Sequence, residues 1–271
     1  MTFAQNLLDL RITRAPAGLW ADTAPIRADL FGIERLEHHA ISLAVAQNDL
    51  PGRPIVVASL LGRVQDNAKV LLAAYRAGAK SLDLGEPLTP AAEWLLDNFH
   101  IVEQQLRQIK DDLPPSYYRH LPKLANGPFA GYPRVLALAW AYVAHTDSLL
   151  SETALLRFVQ AYQTVQPLTI GEVWAVAITL RIVLIENMRR LAVQITEADR
   201  LRRTADALVD QVLTASVTGV SPHAVLAGLD GAELPEIMAA QIAKRLRGTD
   251  PAETPLAAWF DVRLKDRKSV V

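Results

Sequence analysis

The stretch E-W-L-L-D-N-F-H-I-V-E, residues 93–103, gathers the densest set of side chains able to do chemistry. On a helix Glu93, Asp97 and His100 lie four and three residues apart and share a face, with Glu103 adjoining. Carboxylates and an imidazole so placed suit metal binding or general acid–base work. A four-helix di-metal site, however, needs two Glu-x-x-His motifs and two further glutamates. Glu-x-x-His occurs nowhere in the chain. The pattern therefore reads as a helix face whose polar groups hold a neighbouring loop. His38 and His39, in E-R-L-E-H-H, point about 100° apart on a helix and cannot both ligate one ion in the usual manner. They read as solvated helix polarity. His145 ends a helix, where an imidazolium would complement the dipole.

The other signatures of catalysis are missing. There is no G-x-S-x-G nucleophile elbow, no G-x-G-x-x-G or G-x-x-x-x-G-K-[ST] phosphate cradle, and no Asp-x-Asp. Zero cysteines exclude a disulfide framework and a thiolate metal site. From the residues alone no catalytic group, cofactor or metal site is expected. A net charge of −1 argues against a general nucleic-acid binder. The first residues, M-T-F-A-Q-N-L-L-D-L-R, lack the basic and apolar regions of a secretory signal.

One kind of binding chemistry stays open. Tyr117, Tyr118, Phe129, Tyr132 and Trp140 cluster around the long irregular segment P-P-S-Y-Y-R-H-L-P-K-L-A-N-G-P-F-A-G-Y-P. Flat aromatic faces stack on sugar rings, and Glu93, Asp97 and Asn98 are placed to bond hydroxyls. The alternative for the same rings is a role as core and loop anchors.

The element that must position all of this is T-I-G-E-V-W-A-V-A-I-T-L-R-I-V-L-I-E-N-M-R-R, residues 169–190. Thr169 and Glu172 form a capping box. From Val173 to Ile185 nearly every residue is apolar, which predicts a core helix packed on several sides. Charges at Glu172, Arg181 and Glu186 make the run too short for a membrane span. Arg181 is expected to be paired within the core, giving a structural polar core of Glu172, Arg181 and Glu186. Beyond Glu186 the helix is expected to emerge into solvent through Met188, Arg189 and Arg190.

Around this helix, periodicity predicts others at Arg27–Asn48, Pro54–Ala79 with Gly78 as a stop signal, and Pro90 to just before Pro114. Further helices are expected at Arg134–His145 and Thr153–Gln163, with a long or kinked continuation past Arg190. Shorter pieces follow at Pro222–Leu229, Leu234–Leu246 and Leu256–Leu264. No run shows period-two alternation, so the expected fold is all-α. It would be a multi-helix bundle around a buried central helix at about 170–190, with a smaller C-terminal helical subdomain. The expected organisation is an N-terminal arm at 1–24 anchored by Trp20, a main domain at 25–200 and an extension at 201–271. No segment is expected to span a membrane, and the chain should be soluble.

Four stretches go beyond periodicity. They are F-G-I-E-R-L-E-H-H-A-I-S-L-A, the run from E-W-L-L-D-N-F-H to S-Y-Y-R-H-L-P-K-L, G-Y-P-R-V-L-A-L-A-W-A-Y-V-A-H-T-D-S, and F-V-Q-A-Y-Q-T-V-Q-P-L-T-I-G-E-V-W through I-E-N-M-R-R-L. Together they resemble the N-terminal region of the cyclic β-1,2-glucan synthases, large inner-membrane enzymes that polymerise glucose from UDP-glucose and close the chain into a ring. The resemblance covers roughly residues 28–215. It implies that the transferase, membrane spans and phosphorylase-like region lie beyond this chain's end, and it carries no catalytic residue onto it.

Three readings follow. The first is a non-catalytic scaffold or regulatory module, cytoplasmic at the inner face of the bacterial inner membrane. Its partner would be the transferase or membrane region of a glucan synthase. Its docking face would be Arg181, Glu186, Asn187, Arg189 and Arg190 if that helix end is uncovered. The second is a β-1,2-glucan-binding module built on the aromatic loop. The third, with least support, is a hydrolase or phosphorylase using Glu93, Asp97 or Glu172 as the acid.

Overall fold

A computed structural model describes residues 18–47, 60–218, 221, 234–247, 257, 259 and 260. Among these the regular elements are all helices, and two isolated bridges, Lys123 with Pro133 and Leu124 with Ala130, are the nearest approach to sheet. The chain divides into two compact units, Met1–Gln194 and Ile195–Val271.

In the first unit, α1 (Gly18–Ala21) is followed by an extended segment and then by α2 (Ile33–Ala46). The sequence pattern placed the start of α2 at Arg27. The helix starts later because the backbone before it is bonded elsewhere. Ile26 N donates to Asn187 Oδ1 at 2.6 Å, Ala28 N to Ala144 O at 2.9 Å and Phe31 N to His145 O at 3.0 Å. Leu36, Ala40 and Ala44 then recur on the buried face. Residue 48 and residues 54–59 of the expected helices lie outside the described residues.

The third helix, α3 (Leu60–Asp83), runs past Gly78, which therefore does not end it. A Cβ at Gly78 would stand 3.5 Å from the Leu96 side chain, so the residue marks a close approach to α4 (Pro90–Asp112). The actual stop is Gly85, whose φ of 69° is the left-handed conformation of a helix C-cap. The expected start of α4 is found: Thr89 Oγ1 accepts from Ala92 N at 3.3 Å, with Pro90 in the first turn. Tyr75 and Phe99 stack between α3 and α4 with centroids 4.4 Å apart.

The long irregular segment contains a short helix, α5 (Pro115–His120), and then a folded loop. Leu121, Leu124, Phe129 and Tyr132 of this loop are buried. It closes with Leu124 N donating to Tyr132 O at 3.0 Å, so the segment is a packed plug, not an open flap.

The most completely buried element is α6 (Arg134–His145), in which Arg134 through Ala139 and Tyr142 through His145 are all buried. Next to α2 lies α7 (Glu152–Gln163), capped by Ser151; its Tyr162 hydroxyl donates to Gln47 Oε1 at 2.8 Å. The long helix α8 (Ile170–Thr218) is continuous. Its first turns are not buried all round: Ile170, Val173 and Trp174 are exposed. The apolar run there reflects one face on the core and a second face left open.

In the second unit Ala205, Leu208, Val209 and Val212 pack with Met238, Ala239 and Ile242 of α9 (Glu236–Arg245) and with Phe260. Gln241 Nε2 and Arg245 hold Asp206, and Arg245 also reaches Asp210 at 2.6 Å. The expected piece Pro222–Leu229 lies outside the described residues, as does most of Leu256–Leu264. No described helix is long and apolar enough to cross a membrane.

Candidate functional site

The polar residues that converge in this fold do so in its interior. Glu172 and Glu186, the two buried carboxylates among the described residues, each organise a network.

Glu186 accepts five hydrogen bonds. Arg63 grips it with two, Nε to Oε2 and Nη2 to Oε1, both at 2.9 Å. Asn67 Nδ2 adds one at 2.8 Å, Arg189 Nη2 one at 2.8 Å and Arg190 Nε one at 2.9 Å. Three guanidiniums face one carboxylate, and each also donates to a backbone carbonyl of the arm, Arg63 to Trp20 O, Arg189 to Asp22 O and Arg190 to Ala24 O, while Arg189 Nε is buried with no hydrogen-bond partner among the described residues. The arm of residues 20–26 is thereby strapped to α8 by charge-assisted bonds. Burial pushes the Glu186 carboxyl up, but the bonds from Arg63, Arg190 and Arg189 outweigh it and hold the group below its ordinary value. A carboxylate with every lone pair engaged is a structural hub, not a proton acceptor.

The network reverses the expectation for this end of the helix. Arg189 and Arg190 do not emerge into solvent; with Glu186 and Asn187 they are buried beneath the arm. Asn187 bonds Ile26 N and, through Nδ2, Ser148 Oγ at 2.9 Å. The docking face expected at these residues is covered. Arg181, expected in the core, is half-exposed and pairs at 3.1 Å with the exposed Asp112. A helix turn separates these cases, because residues five apart from Arg181 to Glu186 point to different sides.

Glu172 lies at the other end of the same stretch. Thr169 N donates to Glu172 Oε2 at 2.9 Å and Glu172 N to Thr169 Oγ1 at 3.3 Å, which is the capping box. The same carboxylate takes a fork from Arg134, Nε to Oε1 at 2.5 Å and Nη2 to Oε2 at 2.8 Å. Arg134 also bonds Gln166 Oε1 and Pro167 O. The bonds that Arg134 donates to the Glu172 carboxylate hold its guanidinium pKa above the ordinary value.

A third cluster joins α2 to α6. Phe31 stacks on His145 with centroids 3.8 Å apart, and His39 stands edge-on to both. His145 Nδ1 donates to Asp29 O at 2.7 Å. Burial, then His145 and Arg35, bring His39 down to about 4, and burial also lowers His145. Burial thus favours the neutral form of each ring. Two expectations change with the packing: His39 is partly buried against Phe31 and His145 instead of solvated, and His145 is a buried ring that donates to Asp29 O.

The remaining candidates do not converge. Glu93, Asp97, His100 and Glu103 are exposed along α4, and Asn98 Nδ2 donates to Trp94 O of its own helix. Among the described residues no group of three or more His, Asp or Glu could hold a metal ion. Phe129 and Tyr132 are buried, and Trp140 is half-buried, edge-on to Trp20 and Phe129 with Arg190 over its ring. Trp20 Nε1 donates to Tyr132 Oη at 2.6 Å. Tyr117 is half-buried and donates to Gly171 O; Tyr118 is half-buried, its hydroxyl without a hydrogen-bond partner among the described residues and pushed up to about 12 by burial. Most of these rings form a packed cluster that anchors arm and loop.

The residues that the sequence reading missed are Arg63, Asn67, Arg134 and Gln166. Asn67 carried a signal: it sits between Val64 and Leu71 at helical spacing, on the apolar stripe of α3.

No family model matches the chain. The chain is 34% identical over 265 residues, 97% of its length, to the cyclic β-(1,2)-glucan synthase NdvB of Rhizobium meliloti (strain 1021). Over nearly its whole length the chain is thus similar to a cyclic β-1,2-glucan synthase. It resembles an N-terminal region of that family, as the four sequence stretches indicated, and it spans 9% of the length of the relative it matches. Arg63, Arg134, Glu172 and Glu186 all fall within the first compact unit of this glucan-synthase-related chain.

Proposed function

We propose that the chain is a non-catalytic helical module of a cyclic β-1,2-glucan synthase system, a scaffold that docks on the transferase or membrane part of the enzyme. The observation that carries this reading is the fate of the acids. Glu172 and Glu186 are buried and engaged by arginines, while Glu93 and Asp97 lie exposed side by side on one helix. A glycosidase needs two carboxyls about 5–10 Å apart across the scissile bond, one of them free to give a proton. Glu172 is a capping and ion-pair residue. The similarity over 97% of the chain to a glucan synthase supplies the context, and a location at the inner face of the bacterial inner membrane is part of the same proposal.

The test is to delete the matched segment from the Rhizobium meliloti relative and prepare membranes carrying the remainder. The 271-residue chain is then added and co-sedimentation and cyclic β-1,2-glucan formation are measured. Saturable binding supports the scaffold. No binding, together with saturable quenching of tryptophan fluorescence by linear or cyclic β-1,2-glucan, would replace it with a glucan-binding module.

A further inference from the structure

The first turns of α8 display an apolar surface that neither buried network explains. From Ile170 the residues on that side follow in alternating steps of four and three: Ile170, Trp174, Ala177, Arg181, Leu184, Met188 and Leu191. Steps averaging 3.5 residues keep a seam turned toward one neighbouring helix. In its middle the seam meets the core, where Leu184 and Met188 are partly buried. At its start it is open: Ile170 is 74% exposed and Trp174 71%, with Val173 beside them at 45%. Single exposed aliphatics are ordinary, but three large ones on one turn, including an indole, make a patch.

This turn is also held more firmly than its exposure suggests. Thr169 and Glu172 lock it from within, Arg134 clamps Glu172, and the Tyr117 hydroxyl donates to Gly171 O. A rigid turn that presents an aromatic anchor loses little entropy on binding. Arg181, two turns on, adds a half-exposed cation next to Asp112. Tryptophan and arginine are the residues in which interface energy concentrates.

We propose that Ile170, Val173 and Trp174 form the docking surface of the module, and that its occupant is an amphipathic helix of the synthase polypeptide outside the matched region. This rests on the scaffold reading above. The 3.5-residue spacing selects a helix as the partner. The size of the patch selects one tethered in the same assembly over a second copy of this chain. The patch offers on the order of 400 Å² of apolar area, about half of the ~800 Å² per partner that a free-standing interface buries. A tethered segment, held at an effective concentration in the mM range, is retained by a smaller contact, so co-sedimentation of the separately added chain is titrated up to about 1 mM to match what the tether supplies. The matched region is 9% of the relative, so most of that polypeptide is available to supply the helix.

The experiment uses the same membranes with four full-length chains: wild type, Trp174→Glu, Ile170→Lys and Leu149→Glu, the last at an exposed leucine before α7. Far-UV circular dichroism and the urea midpoint should match wild type in all three variants. Binding is expected to weaken at least tenfold for Trp174→Glu and Ile170→Lys and to be unchanged for Leu149→Glu. Wild-type affinity in both α8 variants overturns this surface and leaves docking elsewhere standing. Absence of wild-type binding overturns the scaffold reading and this inference with it. A dimer of the free chain in analytical ultracentrifugation that Trp174→Glu abolishes overturns the choice of occupant in favour of a second copy.

Discussion

Replacing Glu186 with glutamine is the sharpest perturbation of this fold. The carboxylate takes five donors, and the side chains of Arg63, Arg189 and Arg190 are 19%, 8% and 3% exposed. A glutamine keeps the shape but loses the charge, and its own amide would face incoming N–H groups. Three guanidiniums then remain buried around an uncharged amide, and the largely exposed Asp22, 3.7 Å from Arg190, offsets only a small part of the lost charge. Removing one partner of a buried ion pair costs about 3–5 kcal/mol, roughly a fifth or more of the ~5–15 kcal/mol that holds a typical domain. With an m-value of about 2–3 kcal/mol/M, the urea midpoint should fall by ~1–2.5 M. Tryptophan fluorescence is a suitable reporter, since Arg63 lies over the Trp20 ring and Arg190 over that of Trp140. Asp66→Asn, which removes an exposed pair with Lys69 on the same helix, serves as the control and should leave the midpoint unchanged. The pH dependence follows from the lowered carboxyl. The stabilisation is fully present above the ordinary carboxylate range and is lost as pH falls through the depressed folded value. Glu186→Gln should remove that part of the acid transition. A loss of less than about 1 kcal/mol, with the acid transition unaltered, would refute the description of Glu186 as the hub.

Other outcomes are expected from the same chain. Thr169→Ala removes the hydroxyl of the capping box and should cost about 1 kcal/mol in urea unfolding, with the helix otherwise intact by circular dichroism. His39 is lowered from 6.5 to about 4, so the unfolded chain takes up a proton that the folded chain refuses between these values. Stability is therefore full above pH 6.5 and declines toward pH 4, and His39→Gln should flatten that slope in a pH series of urea midpoints. Gly78→Ala places a methyl 3.5 Å from Leu96, an ordinary contact, inside a helix, and should raise stability by about 0.5–1 kcal/mol. Gly85→Ala, at a φ of 69°, should lower it.

Much of the local structure was legible because it depends on neighbours in sequence. The N-cap at Thr89 with Pro90, the box at Thr169 and Glu172, and the span of α6 follow from short-range bonding that any helix must satisfy. The absence of alternating strands was enough for the all-α class, and four sequence stretches were enough for the glucan synthase resemblance borne out over 97% of the chain. Which face of α8 is buried depended on residues far from it. The apolar run from Val173 to Ile185 reads as core, yet Trp174 is open because no described element covers that side. Past Glu186 the run Met188, Arg189, Arg190 reads as emerging into solvent, yet Arg189 and Arg190 are buried because Arg63 comes from α3 and the arm's carbonyls from residues 20–24. A charge is stable in an interior only when its partners arrive there. Those partners are more than 100 positions away in sequence, where periodicity carries no information, and only the tertiary packing brings them to one carboxylate.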